Sequence, residues 1–125
     1  MADQGNWQNC AGSFQILNLA QALEHVDGDP ELLGEIAALF LEDAPGLLNR
    51  VRDALSKGDA YALERSAHAL KGSISNFGAK SAFDAALALE IDGRKKELSD
   101  ALAHFEMLEK SLRTLEPELE AVAKF

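Results

Sequence analysis

The feature that most constrains the fold is a set of apolar residues between residues 63 and 77, spaced alternately by four and three. The spacing holds at five consecutive positions: Leu63, Ala67, Leu70, Ile74 and Phe77. An α-helix turns once every 3.6 residues, so these side chains share one helix face, whereas a strand would alternate every second residue. Asp59 can cap the start of this helix and Gly78 can end it. The segment therefore predicts a helix with one buried face.

A second, longer helix is predicted ahead of this one. Asp29-Pro30-Glu31 combines a capping carboxylate, a proline suited to the first helical position and an acid near the positive end of the helix dipole. Lys57-Gly58 provides the end. Pro45 lies inside, and we expect it to kink one helix near residues 41–45 rather than to divide it. The apolar positions are Leu33, Ile36, Phe40, Leu47, Val51 and Leu55.

Two more long helices and one short helix complete the prediction. The third long helix carries Phe83, Ala86, Leu87 and Leu89 and is expected to end at Gly93. Apolar residues between Phe14 and Val26 predict a short N-terminal helix that Gly28 ends. The fourth long helix is expected to bury Leu98, Leu102, Phe105, Leu108, Leu112, Leu115, Leu119 and Val122.

Short connections between the long helices favour antiparallel neighbours. The predicted fold is all-α, an antiparallel four-helix up-down-up-down bundle with the short N-terminal helix across one end. A chain of 125 residues, 47% of them hydrophobic, has enough material for one core. We expect a flexible tail over residues 1–13 and a single domain over residues 14–125.

Charge and composition exclude several classes of partner. The formal net charge of -9 should repel nucleic acid and anionic membranes, which are bound chiefly through Lys and Arg. No apolar run approaches the roughly 20 residues of a membrane span. Cys10 is the only cysteine, and its polar surroundings give it no evident redox role. These features predict a cytoplasmic protein that binds neither nucleic acid nor membrane, and we expect it to be a monomer.

Chemistry is concentrated around His68. On a helical projection His68 lies roughly 140° from the centre of the apolar face, so it should point outward. Lys71 and Ser75 follow at i+3 and i+7 on the same side, and Gly72 leaves bare backbone beside the imidazole. A glycine inside a helix costs about 1 kcal/mol relative to alanine. That cost is understandable if a large partner must approach His68 closely.

A neutral imidazole can act as a nucleophile toward a phosphoryl group, and Lys71 could offset the added negative charge. Antiparallel helices on either side of Gly78 would place Glu90 opposite His68. There a carboxylate could accept a hydrogen bond from Nδ1–H and leave Nε2 free. Arg94, one turn further on, could reach phosphoryl oxygens or the partner.

The segment Ala67-His68-Ala69-Leu70-Lys71-Gly72-Ser73, together with Gly78-Ala79, resembles the phosphoacceptor helix of the histidine-containing phosphotransfer (HPt) family. The resemblance extends over the segment 29–55 and over Leu89-Glu90-Ile91-Asp92-Gly93-Arg94, and so covers residues 16 to about 120. It implies a four-helix bundle phosphorylated at Nε2 of His68.

The resemblance also implies a phosphoryl carrier without autonomous catalysis. The partners would be the receiver domain of a hybrid sensor kinase, a response regulator, or both, and the chain itself could be the C-terminal module of such a kinase. No cofactor or metal is expected on this chain, because Mg²⁺ would belong to the receiver. Ala69, Ser75 and Asn76 are expected to lie on the surface that contacts the partner.

Other interpretations remain open for several of these residues. The bundle could be an interaction module that never carries phosphate, since four-helix bundles serve many purposes. Lys71 could be a boundary lysine covering the core, and Glu90 could simply pair with a surface cation. A di-iron enzyme is disfavoured because no Glu-x-x-His motif occurs. His25 and His104 lack companion ligands and are interpreted as structural or solvated residues.

Overall fold

The computed structural model describes residues 17–125 and contains five α-helices in that range. They are α1 (Leu19–Glu24), α2 (Pro30–Lys57), α3 (Ala60–Ile74), α4 (Lys80–Lys95) and α5 (Ala101–Val122), with a 3₁₀ turn at Ser75–Phe77 after α3. No strand occurs within residues 17–125, so the all-α prediction is confirmed. The predicted tail over residues 1–13 and the predicted helix start at Phe14 lie outside the described residues.

The four long helices form a closed ring in which α2 packs on α3 and α5, and α4 packs on α3 and α5. Contacts between α2 and α5 show that these two helices are antiparallel. Gly34 near the start of α2 lies against Val122 at the end of α5, and Arg52 near the end of α2 pairs with Glu109 at 2.8 Å. The antiparallel four-helix bundle is therefore confirmed.

The apolar face predicted for α3 is the centre of the core, because all five of its residues are completely buried. In α2 the predicted positions divide into two groups. Leu33, Phe40 and Val51 are buried, while the other three are partly exposed. The rings of Phe40 and Phe77 meet edge to face with centroids 5.5 Å apart, which joins α2 to the end of α3.

The predicted helix starts are confirmed by their side-chain caps. The carboxylate of Asp29 accepts hydrogen bonds from the backbone N–H groups of Glu31 and Leu32, and that of Asp59 accepts one from Ala62. Gly58 ends α2 in the left-handed conformation with φ of 64°. The helix α2 is continuous through Pro45; the expected kink at that proline stays a prediction.

The end predicted for the third long helix is wrong. The helix α4 continues through Gly93 to Lys95 and ends at Lys96, which has a φ of 59°. Gly93 is buried, and a Cβ built on it would lie 2.6 Å from the backbone nitrogen of Glu64 in α3. The glycine thus serves close packing between two helices, and not helix termination.

The start predicted for the fourth long helix is also wrong. Leu98 precedes α5, and Leu102 is 64% exposed. The helix begins at Ala101, which is fully buried and continues the spacing of the buried residues from Phe105 onward. Because Ala101 faces the core, the side chain of the next residue, Leu102, points about 100° away around the helix axis, toward solvent.

The short helix α1 closes the end of the bundle where α3 turns into α4. The backbone N–H of Asn18 donates to the carbonyl of Phe77 at 2.9 Å, and that of Leu17 donates to the carboxylate of Glu118 at 2.8 Å. The helix ends at Glu24, four residues before Gly28, and is shorter than its apolar pattern predicts. None of the described helices is both long and apolar enough to span a membrane.

Candidate functional site

His68 projects from the middle of α3 with 61% of its side chain exposed. Its neighbours Ala67 and Leu70 are fully buried, so the helix is fixed in rotation while the imidazole faces outward. The Nδ1 atom of His68 lies 2.8 Å from Oε2 of Glu90 on α4. The predicted placement of Glu90 opposite His68 is confirmed.

Glu90 is buried beneath the imidazole with 4% of its side chain exposed. Lys71 Nζ lies 2.7 Å from Oε1, and Arg94 Nη2 donates to Oε2 at 3.0 Å. The Lys71 contact is an ion pair rather than a well-aligned hydrogen bond, so Oε1 depends on the ammonium charge for compensation. One buried carboxylate therefore joins the histidine to two cations.

The ionisation of Glu90 follows from a competition between burial and its neighbours. Burial removes the carboxylate from water and by itself raises its pKa, but the close contacts and charges of Lys71 and His68 outweigh this effect and lower the pKa overall. The side chain is consequently a carboxylate at neutral pH. An ionised carboxylate can only accept, so Nδ1–H of His68 donates to it, and in the neutral imidazole this places the lone pair on Nε2.

Arg94 joins the carboxylates of two helices. Its Nε atom donates to Glu64 on α3 at 3.2 Å, while its Nη2 atom reaches Glu90 on its own helix. More than half of the Arg94 side chain is exposed. The guanidinium therefore lies at the rim of the site, where it remains accessible to an incoming anion.

Lys71 has features of both roles considered for it, a boundary lysine that covers the core and a cation that supports the His68 site. Its ammonium lies 5.9 Å from the centroid of the Phe83 ring, and its side chain is 20% exposed, as expected for a lysine that covers the core edge. The same ammonium neutralises Glu90 directly beside His68. Structural support and electrostatic support of the site are thus combined in one residue.

The close approach of α3 and α4 depends on Gly93. A Cβ at this position would come within 2.6 Å of the Glu64 backbone nitrogen and 2.7 Å of the Ala60 carbonyl oxygen. These distances are too short for any other residue without movement of the helices. Gly93 therefore permits the helix separation at which Glu90 reaches His68.

The face of α3 beside His68 is made of small residues. A Cβ built on Gly72 would meet no atom within 4 Å, and Ala69 is exposed. Ser75 and Asn76 are partly exposed, and the Ser75 hydroxyl donates to the Gly72 carbonyl at 2.6 Å. Ala69 and Gly72 thus present a methyl group and bare backbone near His68, and Ser75 and Asn76 follow in the 3₁₀ turn.

A second histidine and carboxylate pair was missed in the sequence. Nδ1 of His104 on α5 lies 2.6 Å from Oδ2 of Asp92 on α4, with the imidazole 31% exposed. In each pair the two residues lie at similar sequence distances from the turn that joins their helices. The residue counting that placed Glu90 opposite His68 could therefore also have found this pair. Within residues 17–125 no lysine or arginine forms an ion pair or a side-chain hydrogen bond with either member of this second pair, which distinguishes it from the His68 site.

Comparison with known proteins identifies the family of this chain. A family model described as the Hpt domain matches residues 35–124. The chain belongs to the Hpt domain family. It is 29% identical over 96 residues to histidine-containing phosphotransfer protein 4 of Arabidopsis thaliana, covering 75% of this chain and 76% of that protein.

A solved structure shares the fold. The crystal structure of histidine-containing phosphotransfer protein B from Pseudomonas aeruginosa PAO1 superposes with a TM-score of 0.80 and 26% identity, covering 87% of this chain and 95% of that one. Family membership supports a histidine phosphotransfer role in phosphorelays, with receiver domains as the kind of partner. Members of the family are phosphoryl carriers.

Proposed function

We propose that this Hpt domain carries the phosphoryl group on Nε2 of His68, accepting it from the aspartyl phosphate of one receiver domain and passing it to another. The observation that supports this most is the 2.8 Å contact between Nδ1 of His68 and Glu90. It fixes the tautomer in which the exposed nitrogen has the lone pair.

In the proposed reaction, Nε2 attacks phosphorus in line with the aspartyl oxygen of the receiver. The bond from Nε2 to phosphorus forms as the bond from phosphorus to the carboxyl oxygen breaks, and the carboxylate leaves with the electron pair. No proton needs to move. The imidazole becomes positively charged as Nε2 donates its lone pair to phosphorus, and the buried carboxylate of Glu90 stabilises that positive charge.

Lys71 and Arg94 are proposed to balance the other charge in this reaction. The site contains two carboxylates, Glu64 and Glu90, and two cations, so it is neutral before phosphorylation. A phosphoryl group adds negative charge immediately outside it. The two cations then offset that charge and position the phosphoryl oxygens. Gly72 leaves space for the receiver to approach.

The remaining machinery is proposed to come from the partner. The receiver would provide Mg²⁺ and the pocket around its aspartate, while this chain acts as a carrier without catalysis of its own. Ala69, Ser75 and Asn76 would contact the receiver. The chain would act in the cytoplasm as a monomer, either as a separate protein or as the C-terminal module of a hybrid sensor kinase.

The proposal is tested by incubating the chain with an active kinase and receiver pair and ³²P-labelled ATP, then treating it with acid and with base. Label that is acid-labile, base-stable and absent from the His68→Gln variant is expected. The matched control is His104→Gln, which removes an imidazole with similar carboxylate geometry and should leave the labelling unchanged. Failure of several active receivers to label the unmodified chain would instead favour an interaction bundle.

A further inference from the structure

The groove between α2 and α3 runs beside His68 and contains two adjoining depressions of about 480 and 510 Å³. Ala69, the residue after His68, and Arg50 of α2 line both depressions. The groove is therefore continuous past the phosphoacceptor position. It lies on the side of His68 opposite Glu90, so it is separate from the ion-pair cluster described above.

The balance of charge in this groove differs between its two depressions. Arg50 and Arg65 line the depression that extends toward the start of α3, together with the ion-paired Lys57 and Asp53 and with Asp59, which caps that helix. Glu42 and Asp43 line the other depression, near Ser73, where Arg50 is the one basic residue of the lining. Arg50, Arg65, Glu42 and Asp43 are all exposed. The net charge of the lining is therefore positive in the first depression and negative in the second.

The two arginines are free to bind a partner. Neither Arg50 nor Arg65 forms an ion pair or side-chain hydrogen bond with any residue in the described part of the chain. By contrast, the nearby Lys57 is held by Asp53 at 3.0 Å, and Arg52 by Glu109 at 2.8 Å. On a surface with a net charge of -9, two unpaired guanidinium groups beside His68 form a local positive site.

We propose that this groove orients the phosphorylated receiver domain, with Arg50 and Arg65 binding acidic groups of the receiver and Glu42 and Asp43 binding basic ones. The inference rests on the proposed function. A phosphorylated aspartate is anionic, and Mg²⁺ in proteins is held largely by carboxylates, so the reacting face of a receiver has acidic groups near the phosphoryl group. Charge complementarity of this kind favours one docking orientation and rejects others.

The test compares charge reversals at both ends of the groove. A receiver domain that labels the unmodified chain is phosphorylated, and kcat/KM for transfer to each variant is measured at several salt concentrations. Arg50→Glu and Arg65→Glu are each expected to lower kcat/KM by about tenfold at low salt, with a smaller difference at high salt. Arg113→Glu is the matched control, because it reverses another unpaired arginine in a different groove, between α2 and α5.

Reversal at the acidic end separates orientation from general attraction. If the groove orients the receiver, the double variant Glu42→Lys with Asp43→Lys also lowers kcat/KM. If only net charge matters, that variant raises kcat/KM, because it makes the chain less negative toward an acidic partner. A rise, or an effect of Arg50→Glu no larger than that of Arg113→Glu, would overturn the proposal.

A small phosphoryl donor distinguishes this inference from the proposed function itself. Phosphoramidate needs no protein docking, so every groove variant should still be labelled by it at His68 at the rate of the unmodified chain. Equal labelling by phosphoramidate with unequal transfer from the receiver supports the docking role. Loss of labelling from both donors in the unmodified chain would instead refute the assignment of His68, and the docking proposal with it.

Discussion

Replacement of two glycines near the site by alanine should have opposite effects on stability. Gly93 lies inside α4 against α3, and a Cβ there would be 2.6 Å from the Glu64 nitrogen, whereas ordinary contact begins at 3.4 Å. The helices must separate by about 0.8 Å to accommodate it, because the obstructing atoms are backbone. A Cβ on Gly72 in α3 meets nothing within 4 Å.

The free energies follow from these distances. Alanine is favoured over glycine inside a helix by about 1 kcal/mol, so Gly72→Ala should stabilise the chain by roughly 0.5 to 1 kcal/mol. In Gly93→Ala the same gain is opposed by an overpacking cost of about 1 to 3 kcal/mol. The midpoints of the two ranges give a net loss of about 1 kcal/mol, measured by urea unfolding monitored through helical circular dichroism.

The two substitutions should both slow phosphotransfer, for different reasons. A helix separation of about 0.8 Å in Gly93→Ala would stretch the 2.8 Å contact between His68 and Glu90 to about 3.6 Å, beyond hydrogen-bond range. Misplacement of this size can reduce a rate by about 10- to 100-fold. The methyl group of Gly72→Ala would instead obstruct the receiver while leaving the contact between His68 and Glu90 intact.

Labelling with phosphoramidate separates these two causes. Gly72→Ala should be labelled normally by the small donor and slowly by a receiver, whereas Gly93→Ala should be slow with both. The reasoning is refuted if Gly93→Ala is as stable as the unmodified chain, or if Gly72→Ala is destabilised. Normal small-donor labelling of Gly93→Ala would also contradict the claim that α4 must lie this close to α3.

Substitutions at three further positions test the electrostatics and one helix cap. The pKa of Glu90 is lowered in the folded state, so the stability that its ionised form contributes is present above the pKa of an unfolded-chain glutamate and is lost as pH falls through the lower folded-state pKa. Glu90→Gln should therefore destabilise the chain at neutral pH by about 1 to 3 kcal/mol. The difference from the unmodified chain should shrink in acid when unfolding is measured across a pH series. A pH-independent difference would contradict this. His104→Gln should cost about 1 kcal/mol through loss of its contact with Asp92, and an unchanged unfolding midpoint would show that the contact contributes nothing. Asp29→Ala should cost about 1 kcal/mol by removing two capping hydrogen bonds at the start of α2, whereas Asp29→Asn should retain most of that stability in the same unfolding assay.

Much of the bundle could be predicted from the sequence because its strongest signals are local. The caps at Asp29 and Asp59 and the apolar spacing of α3 act within a few residues of the chain, and all of them are confirmed. The antiparallel arrangement followed from short connections. Counting residues on either side of the Gly78 turn was enough to place Glu90 opposite His68.

The errors occurred where a tertiary contact decides the outcome. Gly93 has the sequence appearance of a helix end, but its role is set by the backbone of α3, which is distant in the sequence. Leu102 fits an apolar spacing as well as Ala101 does, and only the actual start of α5 determines which of them faces the core. The contact between Arg94 and Glu64 likewise depends on how closely α3 and α4 approach.

The most direct test of the central claim is nitrogen-15 NMR of the histidine rings before and after phosphorylation. In the unmodified chain His68 should show a protonated Nδ1 and an unprotonated Nε2, the pattern that a hydrogen bond to Glu90 enforces. After phosphorylation, coupling to phosphorus should appear at Nε2 of His68 and at no other ring nitrogen. Phosphorus on Nδ1 of His68, or on another residue, would contradict the account.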